Sequence, residues 1–307
     1  MLTVGIATFR RASLTATLES LGAQTRHPDA VIVADNDDAP SARDRAERAA
    51  RAAGLRLAYV HAPARNISVA RNAVLDEAKR LGATRLAWLD DDETAPPDWL
   101  ARMDAALTDG LAAVFGPTRS VYPEDAPAWM RRLRPHDQAV PVTRGRVRLG
   151  HTGNAIMDLG APALAGLRFD EALGRLGSED TAFFLAGSAR GAAYALTDAY
   201  LYEPVPPQRM TARWLTERKR RAGAMYRAAL PGGRAAASAL AVPKAAYCLA
   251  AGLILHGDGR RAARLRGAFH EGVVMAALGV RPSDHYGGTE AGTRPDPASQ
   301  GPQDRSR

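Results

Sequence analysis

The sequence predicts an α/β chain in which a mostly parallel sheet is flanked by helices and followed by a C-terminal helical appendage. Three observations carry this. At 307 residues and 46% hydrophobic content, the chain can bury a full core. Within residues 1–92, four short apolar, β-branched runs alternate with three runs of helical period, the pattern of a right-handed βαβ sheet with ligands at the carboxyl ends of its strands. Between residues 208 and 273, apolar runs of helical period are interleaved with Arg and Lys.

The elements follow in order. "LTVGIATF" is a strand, and "RRASLTATLESLGAQT" a helix with Leu14, Leu18 and Leu21 on one face and Ser13 as its N-cap. "DAVIVADNDD" is the second strand and "SARDRAERAARAAG" a charged helix closed by Gly54. "LRLAYVHAP" is the third strand, followed by "SVARNAVLDEAKRLG", a helix capped by Ser68 and stopped by Gly82. "TRLAWLDDD" is the fourth strand. From Leu111 the pattern loosens: "LAAVFGPTRSVY" reads as a strand and "GRVRLGHTGNAIMDLGA" as two strands around a Gly-rich turn. "LRFDEALGRLGSEDTAFFLAGSARG" reads as a loop feeding a helix that starts near Ser178, and "AAYALTDAYLYEPV" as a further strand. Residues 1–220 therefore form the main unit, divided near residue 110, and 221–286 a basic helical region. Residues 287–307, rich in Gly, Pro and polar side chains, form a disordered tail.

Charge narrows the partners. A net charge of +8 and a pI near 10 favour something anionic. Residues 208–273 hold thirteen Lys or Arg against three acids, so the excess sits in one segment. The single cysteine, Cys248, excludes an intramolecular disulfide and a Cys-based zinc cluster, as expected in a reducing cytoplasm. No basic n-region followed by an apolar run precedes the first strand, so no export is expected.

The chemistry gathers at strand ends. Asp90, Asp91 and Asp92 repel one another unless a cation or strong donors stand nearby. A strand-end Asp-x-Asp lets one carboxylate hold a divalent ion while the other holds a hydroxyl or water; an acidic strand end turning in solvent is the alternative. Asp35 and Asp37 end the second strand on the same sheet edge. Arg65 and Arg71, near the start of the third helix, suit a diphosphate.

Together, "VGIATFRRASLTATLESLGAQT", "VIVADND", "RNISVARN", "LAWLDDDE" and "GSEDTAFF" resemble, in order and spacing, the family 2 glycosyltransferases, and among them bacterial enzymes that extend exopolysaccharide repeat units of the succinoglycan kind. The resemblance covers residues 1–220. It implies a GT-A fold with a Rossmann-like sheet, residues 1–110 binding the donor and 111–220 the acceptor. It also implies a nucleotide-diphosphate sugar donor, with a UDP-sugar favoured, an Mg²⁺ or Mn²⁺ ion, and inverting transfer to a glycan or lipid-linked saccharide.

Carried over by resemblance, Thr8 and Arg10 line the nucleotide, Asp35 binds the base, and Arg71, with Arg65, belongs to the donor site. Asp90 stands towards the ribose or its waters and, with Asp92, on the metal; Asp91, the intervening residue, counts with the donor site without a defined role. Asp180 is the catalytic base, although acids such as Glu179 and Asp180 in a first helical turn also simply complement the helix dipole. His151 and Asn154 in "GHTGN", with Glu179, Arg213 and Trp214, are candidates for the acceptor. "QRMTARW" departs from the Gln-x-x-Arg-Trp signature of processive synthases, since four residues separate Gln208 from Arg213, which favours single-sugar addition.

Two other readings are weaker. A sugar-phosphate nucleotidyltransferase opens with a Gly-rich loop that "ATFRRASLT" lacks. A basic nucleic-acid-binding protein is disfavoured because no binding module is recognisable and aromatics are only 6%. In "AAASALAVPKAAYCLAAGLIL", Pro243 and Lys244 are expected to cut the apolar run below the ~20 residues a membrane span needs. The basic helices then either rest on an anionic inner leaflet, giving a peripheral location on the plasma membrane, or pack on the catalytic unit.

Overall fold

A computed structural model of the chain describes residues 1–175, 177–230 and 234–280. The expected tail and the end of the basic region, 281–286, lie outside the described residues. The first part follows the predicted alternation: β1 (Leu2–Thr8), α1 (Leu14–Gly22), β2 (Ala30–Asp35), α2 (Arg43–Ala52), β3 (Leu57–His61), α3 (Ile67–Arg80) and β4 (Arg85–Leu89). Then come α4 (Trp99–Ala106), β5 (Ala113–Phe115), β6 (Thr118–Val121), α5 (Ala128–Leu133), β7 (Val142–Thr143), β8 (Arg146–Val147) and β9 (Asn154–Asp158). The chain continues through α6 (Glu179–Ala189), β10 (Tyr194–Leu196), β11 (Leu201–Pro204), α7 (Ala212–Ala229), α8 (Arg234–Ile254) and α9 (Gly257–Ala277).

The central sheet runs β10-β5-β9-β4-β1-β2-β3. All its pairs are parallel except those of β9, which is antiparallel to both β4 and β5. Because helices cover both faces, β1 and β2 are buried along their whole length, which is why they read as continuous apolar runs and not as alternating ones. One core layer joins Leu14, Leu18 and Leu21 of α1 to Trp99 and Met103 of α4; the other joins Val74 of α3 to Trp88, Phe115 and Phe184. Gly5 lets α3 sit tight against β1, since a Cβ there would lie 2.5 Å from Val74 Cγ1. The residue-110 division thus crosses a continuous sheet, to which residues on both sides contribute strands.

Local expectations were revised where a neighbour outranked the local pattern. The side-chain cap of α3 is Asn66, which accepts the Ser68 amide, and not Ser68, which already belongs to the helix. Ser13 occupies the N-cap position of α1 but makes no side-chain cap bond. "LAAVFGPTRSVY" is not one strand: it breaks at Gly116-Pro117 into β5, in the main sheet, and β6, which pairs in parallel with β11. "AAYALTDAYLYEPV" breaks opposite it, into β10 and β11. The two strands expected around "GHTGN" do not pair with each other, because β9 inserts between β4 and β5 while β8 pairs with β7 across Arg144 and Gly145, both at positive φ.

The C-terminal helices form a bundle with α9 between α7 and α8. Gly223 and Gly272 make the α7–α9 approach close: a Cβ on Gly272 would fall 1.8 Å from the Arg220 carbonyl oxygen. Pro243 does not cut α8, which runs unbroken through it. The proline removes one ladder hydrogen bond, a loss that the Ala-rich run and its packing along α9 outweigh. Ala235–Ile254 is consequently long and apolar enough, by length and composition, to cross a membrane. α7 itself runs through residue 220.

Candidate active site

The strand order turns back at β1, which lies between β4 and β2, and crevices for ligands open at such a point. Thr8 is the last residue of β1. Its hydroxyl donates to Asp91 Oδ2 at 2.7 Å, and the same oxygen accepts the Phe9 amide at 3.4 Å. Arg10, in left-handed backbone at φ 55°, donates through Nε and Nη2 to the two oxygens of Asp37, each at 2.8 Å. The fork ties the β1 loop to the β2 loop, and the Arg10 hydrogen bond holds the Asp37 carboxyl down to about 2 against the effect of burial.

Asp35 is fully buried. Its Oδ2 accepts the Ala42 amide at 2.8 Å and the Tyr59 hydroxyl at 2.6 Å, and its Oδ1 accepts the Asp37 amide at 3.1 Å. The carboxylate organises the β2–α2 loop from inside, so the direct contact with a base expected of Asp35 is closed off. Arg65, at φ 46°, pairs with Asp38, and its buried Nε has no hydrogen-bond partner among the described residues.

Arg71 joins three elements. From α3 it pairs through Nη1 with Glu179, at the start of α6, and its Nη2 lies 3.5 Å from Asp90 Oδ1, just past β4. Burial pushes the Glu179 carboxyl up while Arg71 opposes that, and Glu179 Oε2 is buried without a partner. Glu179, expected at the acceptor, is thus committed to Arg71.

Asp90, just past β4, has its side chain 43% exposed. Desolvation, reinforced by the charges of Asp92, Glu203 and Asp180 and opposed by Arg71, pushes it up to about 6. Asp91 is pushed up to about 7 by burial and by Asp92, against Arg11 and the Thr8 hydroxyl. Arg11 also lies 3.6 Å from Asp92. Glu93 closes the run: Oε2 accepts the Asp90 amide at 2.8 Å and Oε1 the Thr118 hydroxyl at 3.0 Å, and burial raises its carboxyl well above the usual range.

Beside these carboxylates lies "HTG". His151, Asp90 and Glu93 converge on Gly153, where a Cβ would sit in ordinary contact 3.4 Å from His151 Nδ1 and 3.5 Å from both Asp90 Oδ2 and Glu93 Oε1. Among the described residues, both ring nitrogens of His151 are buried without hydrogen-bond partners, as are Thr152 Oγ1 and Ser178 Oγ. Burial lowers His151, keeping it neutral at pH 7 despite the charge of Asp180. Asp180, the second residue of α6, accepts the Thr181 amide at 2.6 Å, and its charge reaches both Asp90 and His151. Buried polar groups without protein partners are the ones a polar ligand satisfies.

Asn154 takes no part. Its Oδ1 accepts Trp99 Nε1 at 2.9 Å and its Nδ2 donates to the Pro117 and Ala199 carbonyls, each at 2.9 Å, so its side chain is spent stapling β9 to the two strand breaks. Arg213 is exposed. Trp214 stacks on His136, ring centroids 5.5 Å apart, beneath Arg209 and Arg218 at 5.6 and 5.3 Å. Arg218 of α7 is half-buried, burial lowers its guanidinium, and the charges of Glu203 and Asp92 act against that.

The family model described as glycosyl transferase family 2 matches residues 3–169, more than half of the chain. The chain belongs to glycosyl transferase family 2. This family 2 chain is 39% identical over 299 residues to the succinoglycan biosynthesis protein ExoM of Rhizobium meliloti (strain 1021), a match covering 94% of this chain and 96% of that one. Among solved structures it is similar to S. aureus TarS 1-349 in complex with UDP-GlcNAc, with TM-score 0.51 and 14% identity over 93% of this chain and 98% of that one. It is also similar to GalNAc-T7 with UDP, GalNAc and Mn²⁺, with TM-score 0.53 and 14% identity over 72% of this chain and 47% of that one. Likeness at such identity shows the fold, and the fold is GT-A. As a glycosyltransferase, the chain takes a nucleotide-sugar donor and a glycan acceptor.

Four site residues of this family 2 chain were missed in the sequence: Arg11, Glu93, Glu203 and Arg218. Glu93 directly extends the Asp triplet, and Arg218 stands four residues after Trp214, one turn along the same helix face. Those signals were present. Glu203, bound by Arg209 at 2.9 Å, left none, since only folding brings β11 to the cleft.

Proposed function

We propose that the chain transfers a sugar, with inversion, from a UDP-sugar to a glycan or lipid-linked saccharide in exopolysaccharide assembly, working in the cytoplasm and peripherally at the inner face of the plasma membrane. The observation that carries this reading is that Arg71 spans from Asp90, just past β4, to Glu179, the residue beside Asp180, with the charge of Asp180 acting on Asp90. Residues 1–220 act as the catalytic unit. The succinoglycan role in the name of the Rhizobium relative supports the pathway class; UDP-GlcNAc in TarS, and UDP with Mn²⁺ in GalNAc-T7, support the donor and ion.

The roles follow from charge. Asp180 accepts the proton of the acceptor hydroxyl as that oxygen attacks the anomeric carbon opposite the leaving diphosphate. Arg71 and Arg218 supply fixed positive charge for the negative charge that builds on the leaving group. His151, kept neutral by burial, and the unpartnered Thr152 and Ser178 hydroxyls offer hydrogen bonds to sugar hydroxyls.

Among the described residues, no group of three or more Asp, Glu, His or Cys side chains is arranged to hold a metal by itself. Asp90 and Asp92 still suit Mg²⁺ or Mn²⁺, since Mg²⁺ is held by one or two carboxylates with substrate phosphates and water filling the other positions. Asp90 is raised by burial and, beyond that, by the charges of Asp92, Glu203 and Asp180, and a cation there would relieve both effects. When bound, the ion offsets charge on the departing diphosphate.

The test pairs two variants with purified protein, Mn²⁺ and a panel of nucleotide sugars. Asp180→Asn should lower transfer by roughly 10²–10⁴-fold while leaving donor affinity intact, and Asp92→Ala should lose both. An Asp180→Asn enzyme that still transfers would remove the base assignment.

A further inference from the structure

α8 has too few polar groups for a helix that meets water on most of its surface. It packs on α9 along one narrow stripe through Ala241, Ala245, Cys248 and Gly252, tight enough that a Cβ on Gly267 of α9 would lie 3.1 Å from Cys248 Cβ. At 100° per residue, the half-cylinder opposite that stripe carries Leu240, Tyr247 and Ile254 along one edge and Val242, Leu249 and Leu253 along the other, with alanines and Pro243 between. Tyr247, Leu253 and Ile254 are 70%, 71% and 74% exposed. No charge lies on that half.

The charges stand beside it. Lys244, the only charged residue of Ala235–Ile254, lies on the flank of α8, close enough to His270 of α9 to act on it together with Arg266. Arg266 and His270 line a groove shared with Lys219 of α7, Phe269, and Asp137, whose charge Arg134 pairs. Lys219, Lys244 and Arg266 make no ion pair among the described residues. An apolar face bordered by unpaired cations complements a surface whose interior is hydrocarbon and whose rim is anionic.

We propose that the α8–α9 hairpin docks the chain on an anionic phospholipid bilayer, with α8 lying flat in the interface, its outer half among the acyl chains and Lys219, Lys244 and Arg266 at the level of the phosphates. Flat placement follows from the packing. To cross, α8 would have to part from α9, or carry into hydrocarbon an α9 whose first half holds Arg260, Arg261, Arg264 and Arg266. α9 is itself fixed to the rest: Arg132 of α5 grips Asp258 at 2.8 and 3.2 Å, and Arg220 of α7 donates to Glu271 at 2.9 Å. The docking surface rests on the peripheral membrane location proposed above and names the surface and the lipid that would serve it, while the transfer chemistry does not depend on it.

The test uses the full chain, sedimented with phosphatidylglycerol-containing vesicles and with pure phosphatidylcholine vesicles. Preferential binding to the anionic vesicles is expected, falling about tenfold or more in Leu253→Glu/Ile254→Glu and weakening in Lys244→Glu and with added salt. Hydrolysis of the donor sugar in the absence of lipid should be unchanged in these variants, which keeps a failure here separate from a failure of the transferase reading. Equal binding by wild type and Leu253→Glu/Ile254→Glu would overturn the proposal. So would a wild-type dimer that these substitutions dissociate without any vesicle binding, which would make the face a contact between two copies. Retention in membranes through an alkaline wash would overturn the flat placement in favour of a span.

Discussion

At Asp91 a buried carboxyl is met by one hydroxyl, one amide and a guanidinium 3.8 Å away. These donors do not repay the loss of water, and the carboxyl rises from 3.8 to about 7. A raised acid contributes stability in full below its unfolded value and loses it as pH climbs through the folded one. In EDTA, the wild type should therefore lose on the order of 3 kcal/mol between pH 4 and pH 7 through this residue. Asp91→Asn, which stays neutral, should gain on the wild type by that amount over the same window in urea unfolding; an unchanged gap between pH 4 and pH 8 would deny the burial argument. The triplet was legible in the sequence as chemistry. What local reading could not divide were the roles: Asp90 faces the cleft, Asp91 holds the β1 loop through Thr8, and Asp92 meets Arg11, because the backbone turns after Leu89.

The elements show the same limit one level up. β1 to β4 and their helices were readable because both-face burial leaves long apolar runs and the helices keep a 3.6-residue period. The second half was not, because β5–β6 and β10–β11 each change sheets within a few residues, and a break between sheets has no periodicity of its own. Asn154 holds those breaks together. Asn154→Ala should strand Trp99 Nε1 and the Ala199 carbonyl and leave the Pro117 carbonyl with the Leu201 amide alone, costing about 2–3 kcal/mol in urea unfolding with an unchanged denaturant slope. A loss of acceptor affinity at unchanged stability would instead restore the role first expected of it.

For the whole molecule, charge is divided by surface: carboxylates gather at the sheet edge and cations along α7 to α9. A UDP-sugar with Mn²⁺, each well above its dissociation constant, should raise the midpoint of thermal unfolding by about 5 °C, and EDTA should abolish most of that rise. The carboxylates supply the reason, since Asp90 and Asp91 are raised by burial and then by neighbouring carboxylate charges, which a bound cation would offset. An equal rise with sugar alone in EDTA would count against the ion.

By itself the sequence determined the α/β class, the order of the first strands and helices, the acidic strand end and the basic segment, because these depend on burial and charge along contiguous stretches. The tertiary structure alone decided that Arg71 links Asp90 to Glu179, that Asp35 and Asn154 face inward, that the charges of Glu203 and Asp92 act on Arg218, and that α8 runs through Pro243 with its apolar side outward. Each of these depends on which neighbour a residue meets across a gap of tens of residues in the chain, and local pattern does not encode that meeting.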